Sequence, residues 1–470
     1  MHPRVGMTAS YIALFLGLFY FCYALKYYIS SFIALGVFNI DLEKAPADHP
    51  AHRILAQRTA SLEVSGDGPW VSIHLPFFNE LNVARRILEA CMDIDYLNFE
   101  IMVADDSRDA TIEVLKERGW RHGNPVIKFI HRKDRAGYKG GALGKAIKYM
   151  HPMTEYIVVF DADFVPPANI IRQFISQWAL YADDVKPVAA VQGYQLHYLN
   201  RNENWVTKGV RAEFSGSYMV ERVAEEVYGA MKMVSGSVFM FDAELLRRLG
   251  WTHSITEDWE LTLRLYIEGY KVAYTPLIQA PAEIPTSVMR VVRQRMRWAE
   301  GHTYAVRRYF MQVLRSEHLT FAEKAEFVYF APYYLQSLVF IFGTIAWIVA
   351  EVSKRHPPFW NSYLGWALIL GNLCAIPFMG AMGIFLEGDL REDYSGVLGF
   401  TLLSFIICPY QGYAALKGLL EAEEGNWIRT LKTGHVTDNF LGFKVRGFIE
   451  WLSRLPFARK MTEMEVFVVG

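Results

Sequence analysis

Cysteine is scarce in this chain. Four occur in 470 residues, Cys22, Cys91, Cys374 and Cys408, three of them inside apolar stretches and none at the spacing of a metal-binding pair. That excludes a disulfide framework and a zinc site, and suits a domain facing a reducing cytoplasm. Net charge is equally scarce: 48 Lys and Arg against 49 Asp and Glu leave −1, so no general nucleic-acid-binding surface is expected. Behind the first apolar stretch there is no convincing small-residue cleavage site, which favours a retained anchor over a removable leader. What the chain has in excess is apolar surface. Hydrophobic residues make up 52% and aromatics 15%, with the surplus gathered at the two ends.

Residues 8–25 are uncharged and apolar, and after Lys26 a second apolar stretch continues to Ile40. A bilayer core needs about 20 such residues, so one long or tilted span fits. Residues 327–350, 359–386 and 395–416 are further candidates. Their length argues against buried core helices, and the Tyr and Trp at their ends suit interfacial belts. Simple counting of crossings then conflicts with charge. Residues 427–460 carry seven Lys/Arg against two acids, whereas Glu387–Tyr394 carries four acids against one base. Positive-inside reasoning puts the tail in the cytoplasm and the acidic loop outside. One apolar segment is therefore expected to double back or to hide a pair of short spans.

Between the apolar ends, residues 70–300 alternate between strand-like and helix-like patterns. The strand-like runs are Val71–Leu75, Glu100–Ala104, Val126–His131, Tyr156–Phe160 and Val188–Gln192, with amphipathic stretches such as Asn82–Met92 and Ala110–Arg118 between them. This predicts an α/β domain with a mostly parallel sheet covered by helices. Ligands bind such sheets beyond the carboxyl ends of the strands. Three polar clusters fall there: Pro76-Phe77-Phe78-Asn79-Glu80, Asp105-Asp106 and Asp161-Ala162-Asp163. Further on come Thr256-Glu257-Asp258 and Gln294-Arg295-Met296-Arg297-Trp298, the latter at the entrance to the apolar C-terminal region.

Each cluster has a chemical reading beside a plainer one. Asp161 and Asp163 supply hard oxygens suited to Mg²⁺ or Mn²⁺, which would neutralise a departing diphosphate; Asp and Pro166-Pro167 also simply form turns. Asp105 and Asp106 sit where a uridine, ribose or metal is held, or where a helix beginning at Ala110 is capped. Lys139 lies in a glycine-flanked turn before a helix expected over Gly140–Met150, a setting that favours phosphate, although a solvated loop lysine looks the same. Arg297 offers a planar fork for diphosphate, and Trp298 a face on which a sugar stacks. The arginines around them also suit a basic helix lying on a membrane, and Thr303–Ala322 reads as such an interfacial helix.

The ordered set Asp105-Asp106, Asp161-x-Asp163, Thr256-Glu257-Asp258 and Gln294-x-x-Arg297-Trp298 resembles the inverting glycosyltransferases of family 2, in their membrane-embedded, cellulose-synthase-like branch. Within it, Asp105–Thr111 and Arg135–Leu143 look most similar to the mannan and glucan synthase-like members, apart from Gly140, where those members commonly have Ala.

The resemblance implies a glycosyltransferase-A, Rossmann-like domain over 70–300. Around it would lie an anchor over 1–40, a linker over 41–69, an interfacial amphipathic helix over 301–325, a transmembrane region over 326–420 and a basic cytoplasmic tail over 421–470. It implies a metal-dependent hexosyltransferase using UDP-glucose or GDP-mannose, with Asp258 as general base and Glu257 supporting it. Glu80, Asp105, Asp106, Lys139, Asp161, Gln294 and Arg297 would hold the nucleotide-sugar, Asp161 and Asp163 the metal, and Trp298 the acceptor. A growing β-linked polysaccharide is the expected acceptor, with a ceramide- or diacylglycerol-type lipid as the alternative. The implied setting is a multi-pass membrane protein with its catalytic domain in the cytoplasm, partnered by donor, acceptor and bilayer. Trp427, Thr430 and Lys432, in Trp427–Gly434, are similar to the gating segment of processive synthases; an amphipathic surface peptide is the competing reading.

Overall fold

A computed structural model describes residues 3–56, 68–117, 125–357, 363–388, 390–425 and 432–434. Its centre is a seven-stranded sheet: β1 (Trp70–Phe77), β2 (Phe99–Asp105), β3 (Val126–His131), β4 (Thr154–Val159), β5 (Val188–His197), β6 (Phe239–Asp242) and β7 (Lys271–Ala282). The strand order is β3-β2-β1-β4-β6-β5-β7. Only β6 runs antiparallel, pairing with β4 and β5. The sheet is therefore mixed, and the carboxyl ends of β1, β2, β4, β5 and β7 share one rim.

Both faces of the sheet are buried, and side-chain alternation assigns residues to them. Val71, Ile73 and Leu75 of β1 join Ile101 and Val103 of β2 in one core; Met102 and Ala104 of β2 join Ile157 and Val159 of β4 in the other. Helix Leu81–Met92 covers the first face with Val83, Ala84, Ile87, Leu88 and Cys91. The second is covered by Tyr138–Ile147, Glu257–Ile267 and part of a long helix, Val288–Arg315.

Two strands were not expected. β6 has only four residues. β7 carries Pro276 and Pro281, which argue against a strand interior. They are tolerated because β7 is an edge strand, pairing along its length with β5 and with a register shift between Gln192 and Tyr194.

The expected Thr303–Ala322 helix is redrawn. A single helix runs Val288–Arg315, with Gln294–Trp298 inside it, and a second begins at Phe321. Thr320 ends the connection between them by accepting from the Glu323 amide, with the Glu323 side chain returning the bond in a capping box. The long helix buries Ala299, His302, Ala305, Tyr309 and Val313, so it packs on the domain along much of its length.

Among the described residues, three helices are long and apolar enough to cross a bilayer, within Arg4–Asn39, Trp366–Glu387 and Asp393–Leu420; Gln336–Val352 is a shorter apolar one. The acidic loop differs from its expected place. Glu387 pairs with Arg211 and accepts from Ser215 Oγ at 2.9 Å, while Asp393 lies 3.0 Å from Arg201. Arg201 and Arg211 belong to the domain, so these acids sit against it rather than across a membrane from it. Positive-inside counting failed here because both charges are neutralised by partners distant in sequence.

Candidate active site

The rim of the sheet opens into a cavity of about 340 Å³ lined by Glu80, Asp106, Lys139, Asp161, Asp163, Glu257, Asp258, Gln294, Arg297, Trp298 and Lys432. Of the residues singled out in the sequence, Trp427 and Thr430 lie outside the described residues. Asp105 is placed beneath the cavity, fully buried, with one carboxylate oxygen accepting the Ser107 amide at 3.0 Å and the other 2.7 Å from His131 Nδ1.

Asp106, by contrast, faces the cavity and is gripped by Arg132, whose Nε and Nη2 donate to its two oxygens at 2.7 and 2.5 Å. Burial raises its pKa against the pull of Arg132. Next to it the Arg135 guanidinium lies 3.3 Å from the centre of the Phe78 ring. The sequence reading gave neither Arg132 nor Arg135 a place in the site, because an arginine within a charged loop carries no signal of where it points.

Lys139 sits in the first turn of helix Tyr138–Ile147, behind the left-handed Gly137 (φ 71°). Its ammonium donates to the Gly236 carbonyl at 2.7 Å and lies 2.7 Å from Asp161 Oδ1 and 3.4 Å from Glu257 Oε1. Burial works against its charge, but Asp161, Glu257 and Asp258 outweigh that and hold its pKa above the ordinary value.

Two glycines allow this closeness. A Cβ on Gly236, at φ +73°, would stand 2.8 Å from Asp258 Oδ2. One on Gly140 would collide with the Thr252 carbonyl and lie 3.2 Å from Glu257 Cβ. The local contact therefore explains the glycine at 140.

Glu257 and Asp258 open their helix; Glu257 is buried and Asp258 half-buried. Burial pushes Glu257 up to about 7, opposed by Lys139 and reinforced by Asp258. Burial also raises Asp258, opposed by Lys139, by the Trp259 amide that donates to Oδ1 at 2.8 Å, and by Arg297. Arg297 has its own pKa lowered by burial, against the fields of Glu257, Asp258 and Asp161. Trp298 lines the cavity with the Arg295 guanidinium 4.1 Å from its ring centre, and Arg295 is held by Glu213 at 2.7 Å.

Among the described residues no cluster of three or more His, Cys, Asp or Glu is arranged to hold a metal ion. Two carboxylates nonetheless suit a hard cation that completes its shell with substrate phosphate and water. Asp161 and Asp163 provide that donor set, each beside a lysine: Lys139, and Lys432 at 2.5 Å.

Residues 69–301 match the family model described as "Glycosyltransferase like family 2". The chain carries a family 2 glycosyltransferase domain. Relatives of this chain include "Probable glucomannan 4-beta-mannosyltransferase 7" of Oryza sativa subsp. japonica, 27% identical over 78% of this chain and 62% of its own length. "Glucomannan 4-beta-mannosyltransferase 2" of Arabidopsis thaliana is 24% identical over 85% of this chain and 73% of its own. The chain thus spans 62 to 73% of the length of these relatives. A solved mannosyltransferase, PcManGT from Pyrobaculum calidifontis in complex with GDP-Man and Mn²⁺, superposes with a TM-score of 0.50 at 19% identity, covering 84% of this chain and 99% of that one. That likeness shows the shared glycosyltransferase-A fold.

Proposed function

We propose that the glycosyltransferase is an inverting, metal-dependent hexosyltransferase that extends a β-linked polysaccharide at the inner face of a membrane, with GDP-mannose or UDP-glucose as donor. The observation that carries this reading is that one cavity is lined by Lys139, Arg297, Asp161, Asp163, Asp258 and Trp298 together. The mannosyltransferase names of the relatives favour mannose as the sugar.

In this reading Lys139 and Arg297 hold the donor diphosphate as point charge and fork. Asp161 and Asp163 would hold Mg²⁺ or Mn²⁺, which when bound offsets the charge of the leaving diphosphate. Trp298 positions the terminal sugar of the acceptor. Its hydroxyl oxygen forms the new bond to the anomeric carbon as the bond from that carbon to the diphosphate oxygen breaks on the opposite face. The hydroxyl proton passes to Asp258. Glu257, held close to Lys139, keeps that lysine in place and raises the basicity of its neighbour.

Product sizing tests the reading. Membranes containing the protein are supplied with radiolabelled GDP-mannose or UDP-glucose and Mn²⁺. Label in alkali-stable polymer supports it; label in a single-sugar lipid assigns a glycolipid synthase, and no incorporation from either donor refutes both.

A further inference from the structure

Glu283 follows β7 directly and is 1% exposed. A buried carboxylate must have its oxygens bonded, because leaving them bare costs several kcal/mol. Within its own domain its ion pair is with Arg86, at 3.5 Å, and Arg86 also donates to the Asp163 carbonyl at 3.2 Å. The remaining bonds come from the C-terminal region. Thr433 donates to Glu283 through its amide and, at 2.9 Å, its hydroxyl; the Gly434 amide adds another at 3.0 Å.

The same three residues are fitted closely elsewhere. Asn82 donates to the Lys432 carbonyl at 3.1 Å, and Gly434 has φ +75° with Asn82 O where a Cβ would go, at 2.5 Å. Only glycine fits there without strain. The result is that the Lys432 ammonium is laid on Asp163 Oδ2 at 2.5 Å and donates to the Glu283 carbonyl at 2.8 Å.

We propose that Glu283 is a positioning residue that seats the Lys432-Thr433-Gly434 strap, so that the Lys432 ammonium and a divalent cation compete for Asp163. This rests on the proposed donor site at Asp161 and Asp163. Two positive charges cannot both use one carboxylate oxygen at full strength, so cation binding displaces Lys432 from Asp163. The freed ammonium is then within the cavity that takes the donor diphosphate. Glu283 sets how easily that exchange occurs, while itself lying outside the reacting groups.

Two measurements on the full-length protein in detergent test this. In the first, trypsin cleavage after Lys432 is followed by mass, with cleavage at domain sites as a folding control. Glu283→Gln should cleave after Lys432 about tenfold faster or more, the scale of a lost hydrogen bond to a charged group. Cleavage at the wild-type rate overturns the seat. In the second, Mn²⁺ alone is titrated and the free ion followed by electron paramagnetic resonance. Lys432→Ala and Glu283→Gln should both tighten Mn²⁺ binding by about tenfold. An affinity no tighter than wild type overturns the competition. Asp163→Asn separates the two ideas: if it binds Mn²⁺ as wild type does, the metal assignment fails, whereas the cleavage result still judges Glu283.

Discussion

Asp258 and Glu257 share neighbours that set both their proton affinity and their use. Asp258→Asn keeps the shape and removes the proton acceptor, so turnover should fall by ~10²–10⁴-fold with nucleotide affinity nearly unchanged in equilibrium titration. A parallel loss of nucleotide affinity would assign Asp258 to binding instead. The raised carboxyl pKa values make a second expectation. Glu257 moves from an ordinary 4.5 to about 7 in the fold, so between those values the folded state holds a proton that the unfolded chain has lost. The resulting stability is complete below about pH 4.5 and is lost as pH rises through 7. Activity runs the other way, because the base must be deprotonated. Between pH 5 and 7.5, melting temperature should therefore fall; kcat/KM should rise with pH as Asp258 loses its proton, and Glu257→Gln should move that activity midpoint to lower pH by removing a like charge. A midpoint unmoved by that substitution would show that Glu257 does not tune Asp258.

The helix Val288–Arg315 shows what an element adds to its residues. It brings Gln294, Arg297 and Trp298 to the cavity while burying Val291, Arg295 and Ala299 on its other positions. Arg295 covers one face of Trp298 and is itself pinned by Glu213, so the ring reaches the cavity already oriented. Trp298→Ala should leave hydrolysis of the nucleotide-sugar by water intact while transfer to acceptor collapses, as measured by released nucleotide against labelled product. If hydrolysis and transfer fall together, the ring serves packing, whose loss costs about 3–5 kcal/mol.

Sequence periodicity displayed the rim acids Asp106, Asp161 and Asp163 because each follows an apolar, β-branched run. It concealed Glu283, which follows the proline-bearing edge strand β7 and would otherwise have counted as a rim acid in the same way. It also concealed the reach of the long helix. The basic residues after Thr303 suggested a membrane-surface element, yet Ala305, Tyr309 and Val313 carry it into the domain core. Local pattern reports a polar face and an apolar face without saying whether lipid or protein covers the latter.

Across the whole molecule, the packing of the helices bears on the conflict between crossing number and tail charge. The N-terminal helix has Gly6 against Ser353 at one end and Ala34 and Val37 packed with the domain at the other. Gln336–Val352 runs beside it in reverse, with Tyr20 bonded to Gln336 and Gly343 against Leu16. Tyr363–Glu387 returns, with Tyr28 donating to the Gly371 carbonyl at 2.8 Å and Gly383 packed on Ser215. The helix Leu390–Leu420 behaves differently despite its length. Gly396 and Gly399 meet Lys208 and Trp205 near its start; Gly418 meets Glu300, and Lys417 lies 3.2 Å from Glu300, near its end. Both ends rest on the domain, while Leu398, Leu402, Phe405, Tyr413 and Leu420 remain exposed on its outward face. That is the pattern of a helix lying in the interface rather than crossing. Three crossings followed by an interfacial helix would put the C-terminal strap on the domain side, where Lys432 meets Asp163. With the four native cysteines replaced by alanine, Ser353→Cys in sealed vesicles should react with an impermeant maleimide from the side opposite the domain. Glu421→Cys should react only from the domain side. Labelling of both positions from one side would mean that Leu390–Leu420 crosses the bilayer after all, or that Gln336–Val352 does not.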